Sequence, residues 1–264
     1  MIRLGRRFRR WRMAVFIALA PLGGCTWMLP APVDPMRTVR LPAPAVDART
    51  GRPARLLLVL PGGQDDLDDL QDFGIAQAVQ GVAPDTEVAL VGATLPYYMD
   101  GGLARRLHEQ VIAPARAAGV REIWVSGVSM GGFGALLHER SFPGSVDGFL
   151  LMAPFLGDRA LIEEIVSSGG LAQWQPGPVP ETLTRDSAVR EVWRMLKSWR
   201  EQPERFRRVW LVCGTDDRLL PASRLLAQEL PPDHYVERPG GHKWKVWTPA
   251  AADVLGVAFR RAPP

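Results

Sequence analysis

The chain has 264 residues, of which 47% are apolar and 23% charged, which suits one globular domain with a full core and excludes a disordered, fibrous or polytopic protein. The formal charge of +4 comes from the first 24 residues, which hold six arginines and no acid; without them 26 basic residues face 28 acidic ones. No basic stripe with interleaved aromatics remains, so nucleic acid is not an expected partner.

The N-terminus reads in three parts. A basic stretch runs to Arg12, an apolar run follows from Met13 to Ala20, and Leu22-Gly-Gly-Cys25 comes next. A bilayer span needs about 20 apolar residues, so this run is too short to cross one. Its layout is that of a secretory signal over residues 1–24. Leu-Gly-Gly-Cys resembles the bacterial lipobox, in which the cysteine becomes lipidated and N-terminal. That resemblance implies a lipid anchor on Cys25 and a place in the cell envelope with the membrane as partner. Thr26 stands where an Asp often marks inner-membrane retention, which favours the outer membrane, facing the periplasm. An ordinary signal peptide or an uncleaved anchor are the alternatives. If Cys25 carries lipid, Cys213 has no disulfide partner, and its apolar surroundings make it a small core residue.

Residues 25–54 contain Pro30, Pro32, Pro35, Pro42 and Pro44 and read as an extended tether, with a possible edge strand over Met36–Leu41. Residues 55–264 then alternate strand and helix. Leu56–Leu60 is a continuous apolar run ended by Pro61-Gly-Gly63, as expected of a strand buried on both faces. Leu67–Val79 has helical spacing, Glu87–Val91 is a second strand, and Leu103–Ala118 a helix closed by Gly119. Further strands are expected at Glu122–Ser126, Val146–Met152, Arg208–Cys213 and His234–Glu237. Helices are expected at Gly131–Arg140, Pro221–Leu230 and Trp247–Arg260. The pattern predicts an α/β fold with a doubly wound, mostly parallel sheet. Residues 157–206 break the rhythm with about fifty residues and two amphipathic segments, predicting a helical cap insertion.

Gly127-Val-Ser129-Met-Gly131 directly follows an apolar strand and opens a helix. A sharp strand-to-helix turn of this kind exposes a serine hydroxyl above a sheet, with free helix N-terminal amides beside it. Glycines two residues either side let strand and helix pass closely. Farther on, Gly214-Thr-Asp216-Asp217 ends an apolar strand, and Pro239-Gly-Gly-His242-Lys-Trp244 follows the last one.

This elbow, the alternation and the order Ser, acid, His resemble the α/β-hydrolase superfamily from about Arg55 to Arg261. The resemblance implies Ser129 as nucleophile and His242 as general base. It implies an acid orienting the histidine, which the family spacing from Gly214 puts at Asp217, with Asp216 as competitor. The Gly-Gly-His-x-Trp segment resembles that of esterases in the same superfamily. Two amides are expected in the oxyanion hole, from Met130 and from Gly63, with Gln64 next; Pro61 stands where the family often has His. Tyr97 and Tyr98 are candidate pocket walls or surface aromatics. The insertion is a candidate lid packing through Leu161-Ile162-Ile165-Val166 and Val189-Val192-Trp193-Leu196, with Trp174 reaching an acyl chain. The alternative is that these helices extend the core and Trp174 is a packing residue. His108, His138 and His234 are read as surface or packing residues, and Asp65, Asp66, Asp68 and Asp69 as helix N-terminal acids. Neither a metal nor another cofactor is expected. The implied activity is hydrolysis of small-molecule or lipid-like carboxylic esters or thioesters through an acyl-enzyme. Acyl transfer by the same triad and a non-catalytic binding lipoprotein are the alternatives.

Overall fold

The computed structural model describes residues 30–46 and 51–261, so the leader and Cys25 lie outside the described residues. Seven strands form one sheet in the order β1-β3-β2-β4-β5-β6-β7. They are β1 (Thr38–Leu41), β2 (Arg55–Leu60), β3 (Thr86–Val91), β4 (Glu122–Val128), β5 (Gly148–Met152), β6 (Val209–Gly214) and β7 (Tyr235–Arg238). β1 runs antiparallel to β3 and every other pairing is parallel. The apolar runs have their expected cause: β2, β5 and β6 are buried at every residue, because helices cover both faces.

Alternate residues of β2 divide the core. Leu57 and Val59 face a layer built by α1 (Leu67–Asp72), α2 (Ile75–Val82) and the closing helix, which we number α10 (Trp244–Arg261). Leu56, Leu58 and Leu60 face the other layer. That layer holds α3 (Leu95–Met99), α4 (Leu103–Leu107), α5 (Ala113–Ala117), α6 (Met130–Ser141), α7 (Arg159–Ser167), α8 (Arg185–Ser198) and α9 (Leu220–Ala227). The single helix expected over Leu67–Val79 is two, because Gly74 takes φ +65° between them. The helix expected over Leu103–Ala118 is interrupted by a π-helical turn, His108–Ile112. α3 was not legible: five residues are too few to show a period.

The insertion adds α7, α8 and two short 3-10 turns, Trp199–Glu201 and Pro203–Arg208. Its apolar faces join the main core: Ile162, Ile165, Val192, Trp193 and Leu196 are buried, although Val166, expected on the same face, is exposed. Trp193 Nε1 donates to Leu156 O at 2.7 Å, and the Arg194 guanidinium donates to the carbonyls of Pro176, Gly177 and Pro178. The Pro-rich segment is thereby tied to α8.

The domain's first residues meet the sheet at the carboxyl ends of its parallel strands. Thr38 pairs with Val91 at the end of β3, Gly92 N donates to Arg37 O at 2.8 Å, and Gln110 holds Asp34 and the Met36 amide. Ser129, Asp217 and His242 follow β4, β6 and β7 at that same edge.

Candidate active site

Ser129 stands between β4 and α6 with φ +53° and ψ −113°, a strained conformation for a residue bearing a Cβ. Neighbouring elements hold it there. Ser129 N donates to Met152 O at 3.0 Å, and its carbonyl accepts from Phe155 N at 2.8 Å. The flanking glycines are a steric requirement. A Cβ on Gly127 would lie 2.2 Å from the Gly131 carbonyl carbon, and one on Gly131 would lie 2.5 Å from Leu60 O. Ser129 is buried apart from a small opening, 7% exposed.

His242 and Asp217 meet on the same edge. His242 Nδ1 sits 2.9 Å from Asp217 Oδ1 and 2.8 Å from Oδ2. The Asp217 carboxylate is fully buried, and Oδ1 also accepts from Leu219 N at 2.9 Å. Asp216 is exposed. The loops carrying the two groups are fastened together: Thr215 N donates to Arg238 O and Asp216 N to Gly240 O, each at 2.9 Å. A Cβ on Gly214 would lie 2.2 Å from Gly240 O. Ser129 Oγ makes no hydrogen bond to His242 among the described residues.

Met130 opens α6, so its N–H has no partner within the helix. Gly63 comes beside it, its hypothetical Cβ 3.1 Å from Met130 Cγ, and Gly63 N–H makes no hydrogen bond among the described residues. Gly62 N–H is already taken, donating to Asp65 Oδ2 at 3.1 Å.

A cleft of about 1080 Å³ opens beside Met130. Leu95, Tyr98, Met99, Phe133 and Phe155 line it together with Leu161, Ala188 and Val189 of the insertion. The lining is mostly apolar. At its margin Arg190 holds Glu164 in a bidentate pair, 2.7 Å at each oxygen. The hydrogen bonds from Arg190 and then Trp174 hold that carboxyl down to about 2.

Two expectations need correcting. Trp174 does not line the cleft: it is 1% exposed and donates Nε1 to Glu164 Oε1 at 2.8 Å, from the core side. Its surroundings in a Gly- and Pro-rich stretch concealed that Glu164, ten residues earlier, folds back to meet it. Tyr97 does not line the cleft either. Its ring is buried, and its hydroxyl donates to Val33 O at 2.5 Å, pinning the entering chain, whereas Tyr98 does face the cleft. On a short helix adjacent residues point about 100° apart, and here Tyr98 turns to the cleft while Tyr97 turns to the Val33 carbonyl.

The acidic run divides by role. Asp66 caps α1, accepting from Asp68 N and Asp69 N, while Asp69 Oδ2 accepts from Asp66 N. Asp65 stands outside that box and accepts from Trp244 Nε1 at 2.9 Å, a contact across 179 positions that sequence reasoning missed. Among the described residues no group of three or more His, Cys, Asp or Glu side chains could hold a metal ion. A second cavity, about 1060 Å³, lies at the opposite edge of the sheet among Arg55, Glu122, Trp210 and His234, remote from Ser129.

The mostly parallel sheet, its antiparallel first strand and the strained strand-to-helix serine define an α/β-hydrolase fold. Residues 102–256, more than half of the chain, match the family described as "Putative esterase", and the chain belongs to that family of carboxylic ester hydrolases. No curated protein matches it in sequence. Among solved structures it is similar to a ferulic acid esterase (TM-score 0.60, 16% identity, covering 85% of this chain and 98% of that one). It is also similar to Mycobacterium tuberculosis MPT51 (TM-score 0.60, 16% identity, 89% and 98%). A third likeness is to Staphylococcus aureus FphF, a fluorophosphonate-binding serine hydrolase (TM-score 0.59, 12% identity, 85% and 98%). At these identities the likeness is one of fold.

Proposed function

We propose that the enzyme cleaves carboxylic esters or thioesters through an acyl-enzyme on Ser129, with His242 as general base and Asp217 orienting it. The observation that carries this reading is the contact of His242 Nδ1 with the buried Asp217 carboxylate, on the sheet edge where Ser129 is strained. A carboxylate on Nδ1 fixes the tautomer that leaves Nε2 free to accept a proton. Ser129 Oγ attacks the carbonyl carbon as its proton passes to His242. Negative charge gathers on the former carbonyl oxygen, which the Gly63 and Met130 amides would receive. Collapse breaks the ester bond, and the alcohol leaves with the proton from His242. Water then attacks the acyl carbon with His242 again as base, releasing the carboxylate and restoring the serine. The apolar cleft suits an uncharged aliphatic or aromatic acyl group.

A fluorophosphonate probe tests the nucleophile. It should label Ser129, and Ser129→Ala should fold yet lose on the order of 10⁴- to 10⁶-fold in turnover of p-nitrophenyl esters. Normal turnover by that variant would refute the mechanism. Adding alcohol acceptors during turnover separates hydrolysis from acyl transfer, since a transferase would divert most product to the new ester.

We further propose, on Leu22-Gly-Gly-Cys25, that the mature enzyme is held to the outer membrane by lipid on Cys25. Cys25→Ser should release it to a soluble fraction or leave the precursor uncut. An unmodified Cys25 in the mature protein, read by mass spectrometry, would end that proposal.

A further inference from the structure

We propose that Asp65 is a positioning residue that clamps the oxyanion loop to the histidine loop, an inference resting on the esterase mechanism above. One atom makes the clamp. Asp65 Oδ2 accepts from Gly62 N at 3.1 Å and from Trp244 Nε1 at 2.9 Å. The first donor belongs to Pro61-Gly62-Gly63-Gln64, the proposed source of one oxyanion amide. The second stands two residues beyond His242.

Each half of the clamp has a clear physical purpose. Gly62 and Gly63 have no side chains with which to anchor their own peptide planes, and a glycine pair is the most conformationally free dipeptide available. The loop also has to lie close: a Cβ on Gly62 would be 2.7 Å from Asp65 Oδ2 and 3.9 Å from Ser129 Cβ. Fixing the Gly62 amide orients the following peptide, whose Gly63 N–H stays available. On the other side, the Trp244 ring stacks on Phe73 at 4.9 Å and meets Trp247 edge-on at 5.7 Å. Trp247 in turn meets the His242 ring edge-on at 4.6 Å. A chain of contacts therefore runs from the oxyanion loop to the imidazole. Capping of α1 does not explain Asp65, because Asp66 and Asp69 complete that box without it.

Donors that receive charge only in the transition state affect kcat when they are misplaced, and leave ground-state binding nearly unchanged. Displacements of about 1 Å in such groups cost up to about 100-fold. The variants Asp65→Ala, Asp65→Asn, Trp244→Phe and the double Asp65→Ala/Trp244→Phe should be compared with wild type on one p-nitrophenyl ester, with thermal melting alongside. Asp65→Ala should lose about 10- to 100-fold in kcat with KM within about two-fold. Asp65→Asn keeps a carbonyl acceptor and should recover most of that loss. Trp244→Phe keeps the stack on Phe73 but removes the donor, and should lower kcat alone. The double variant should be little worse than Asp65→Ala, since both remove one link. Wild-type kcat in Asp65→Ala, losses that multiply in the double variant, or no rescue by Asn would each overturn the clamp. Should Asp65→Ala fail to fold, Trp244→Phe decides, and an unchanged kcat there overturns it. Wild type and Ser129→Ala run alongside: equal turnover in those two refutes the serine mechanism, and the clamp with it.

Discussion

His242 Nδ1 lies within 2.9 Å of both oxygens of Asp217, whereas Asp216, the preceding residue, is exposed to solvent. Asp217→Asn should therefore cost far more than Asp216→Asn. An amide facing Nδ1 cannot hold the histidine tautomer as a carboxylate does, and losses on the order of 10⁴-fold in kcat accompany that change in other triads. Asp216→Asn should remain within a few-fold of wild type. Steady-state kinetics of the two variants checks this, and the reverse ranking would reassign the acid.

The elbow glycines give a stability prediction with an internal control. Gly127→Ala puts a methyl 2.2 Å from backbone, which no side-chain rotation relieves. It should destabilise by at least about 1–3 kcal/mol and displace Ser129. Gly81→Ala, within α2, meets nothing within 4 Å. It should be neutral or stabilising by up to about 1 kcal/mol. Urea unfolding of the two variants measures the contrast, and a stable Gly127→Ala would show that strand and helix can part.

The buried position of Trp174 predicts a structural phenotype. Trp174→Ala should lose roughly 3–5 kcal/mol of stability and leave the acyl-chain preference of the surviving enzyme unchanged. Val189→Trp, which adds bulk to the cleft wall, should instead shift preference to shorter acyl groups at little cost in stability. A set of p-nitrophenyl esters of rising chain length, with thermal melts, distinguishes the two. An altered profile in Trp174→Ala would return that residue to the cleft.

His138 predicts acid sensitivity. It is fully buried on α6 with neither ring nitrogen hydrogen-bonded, stacked on Phe142 and on His108. Burial, and then the neighbouring His108, pushes its pKa from 6.5 down to about 4. As pH falls through that window the unfolded chain binds a proton that the folded chain refuses. Stability contributed above pH 6.5 is then lost, on the order of 3 kcal/mol by pH 4. Urea midpoints measured from pH 7 to pH 4 should fall less steeply in His138→Leu than in wild type. Equal slopes would place the acid sensitivity elsewhere.

Much of this was legible in the sequence because it is local. Continuous apolar runs at Leu56–Leu60 and Val209–Cys213 correspond to β2 and β6, buried throughout. The Gly-x-Ser-x-Gly turn is a short-range steric pattern, and the structure contains the strained φ it implies. The choice of Asp217 over Asp216 was of another kind, since it came from the resemblance to the α/β-hydrolases and not from local physics; the carboxylate beside His242 Nδ1 is that of Asp217.

Tertiary structure decided what depends on distant segments meeting. Whether Trp174 entered the cleft or the core turned on Glu164 and Arg190, which lie on two different helices. Which of two adjacent tyrosines faced the cleft turned on a carbonyl at Val33. The link from Asp65 to Trp244 spans 179 positions, and an aspartate in an acidic run looks like its neighbours until that ring is beside it. Periodicity and turn chemistry are set by a few successive residues, so one sequence determines them. The direction of a single side chain is set by whatever the rest of the chain packs against it, and only the folded molecule contains that information.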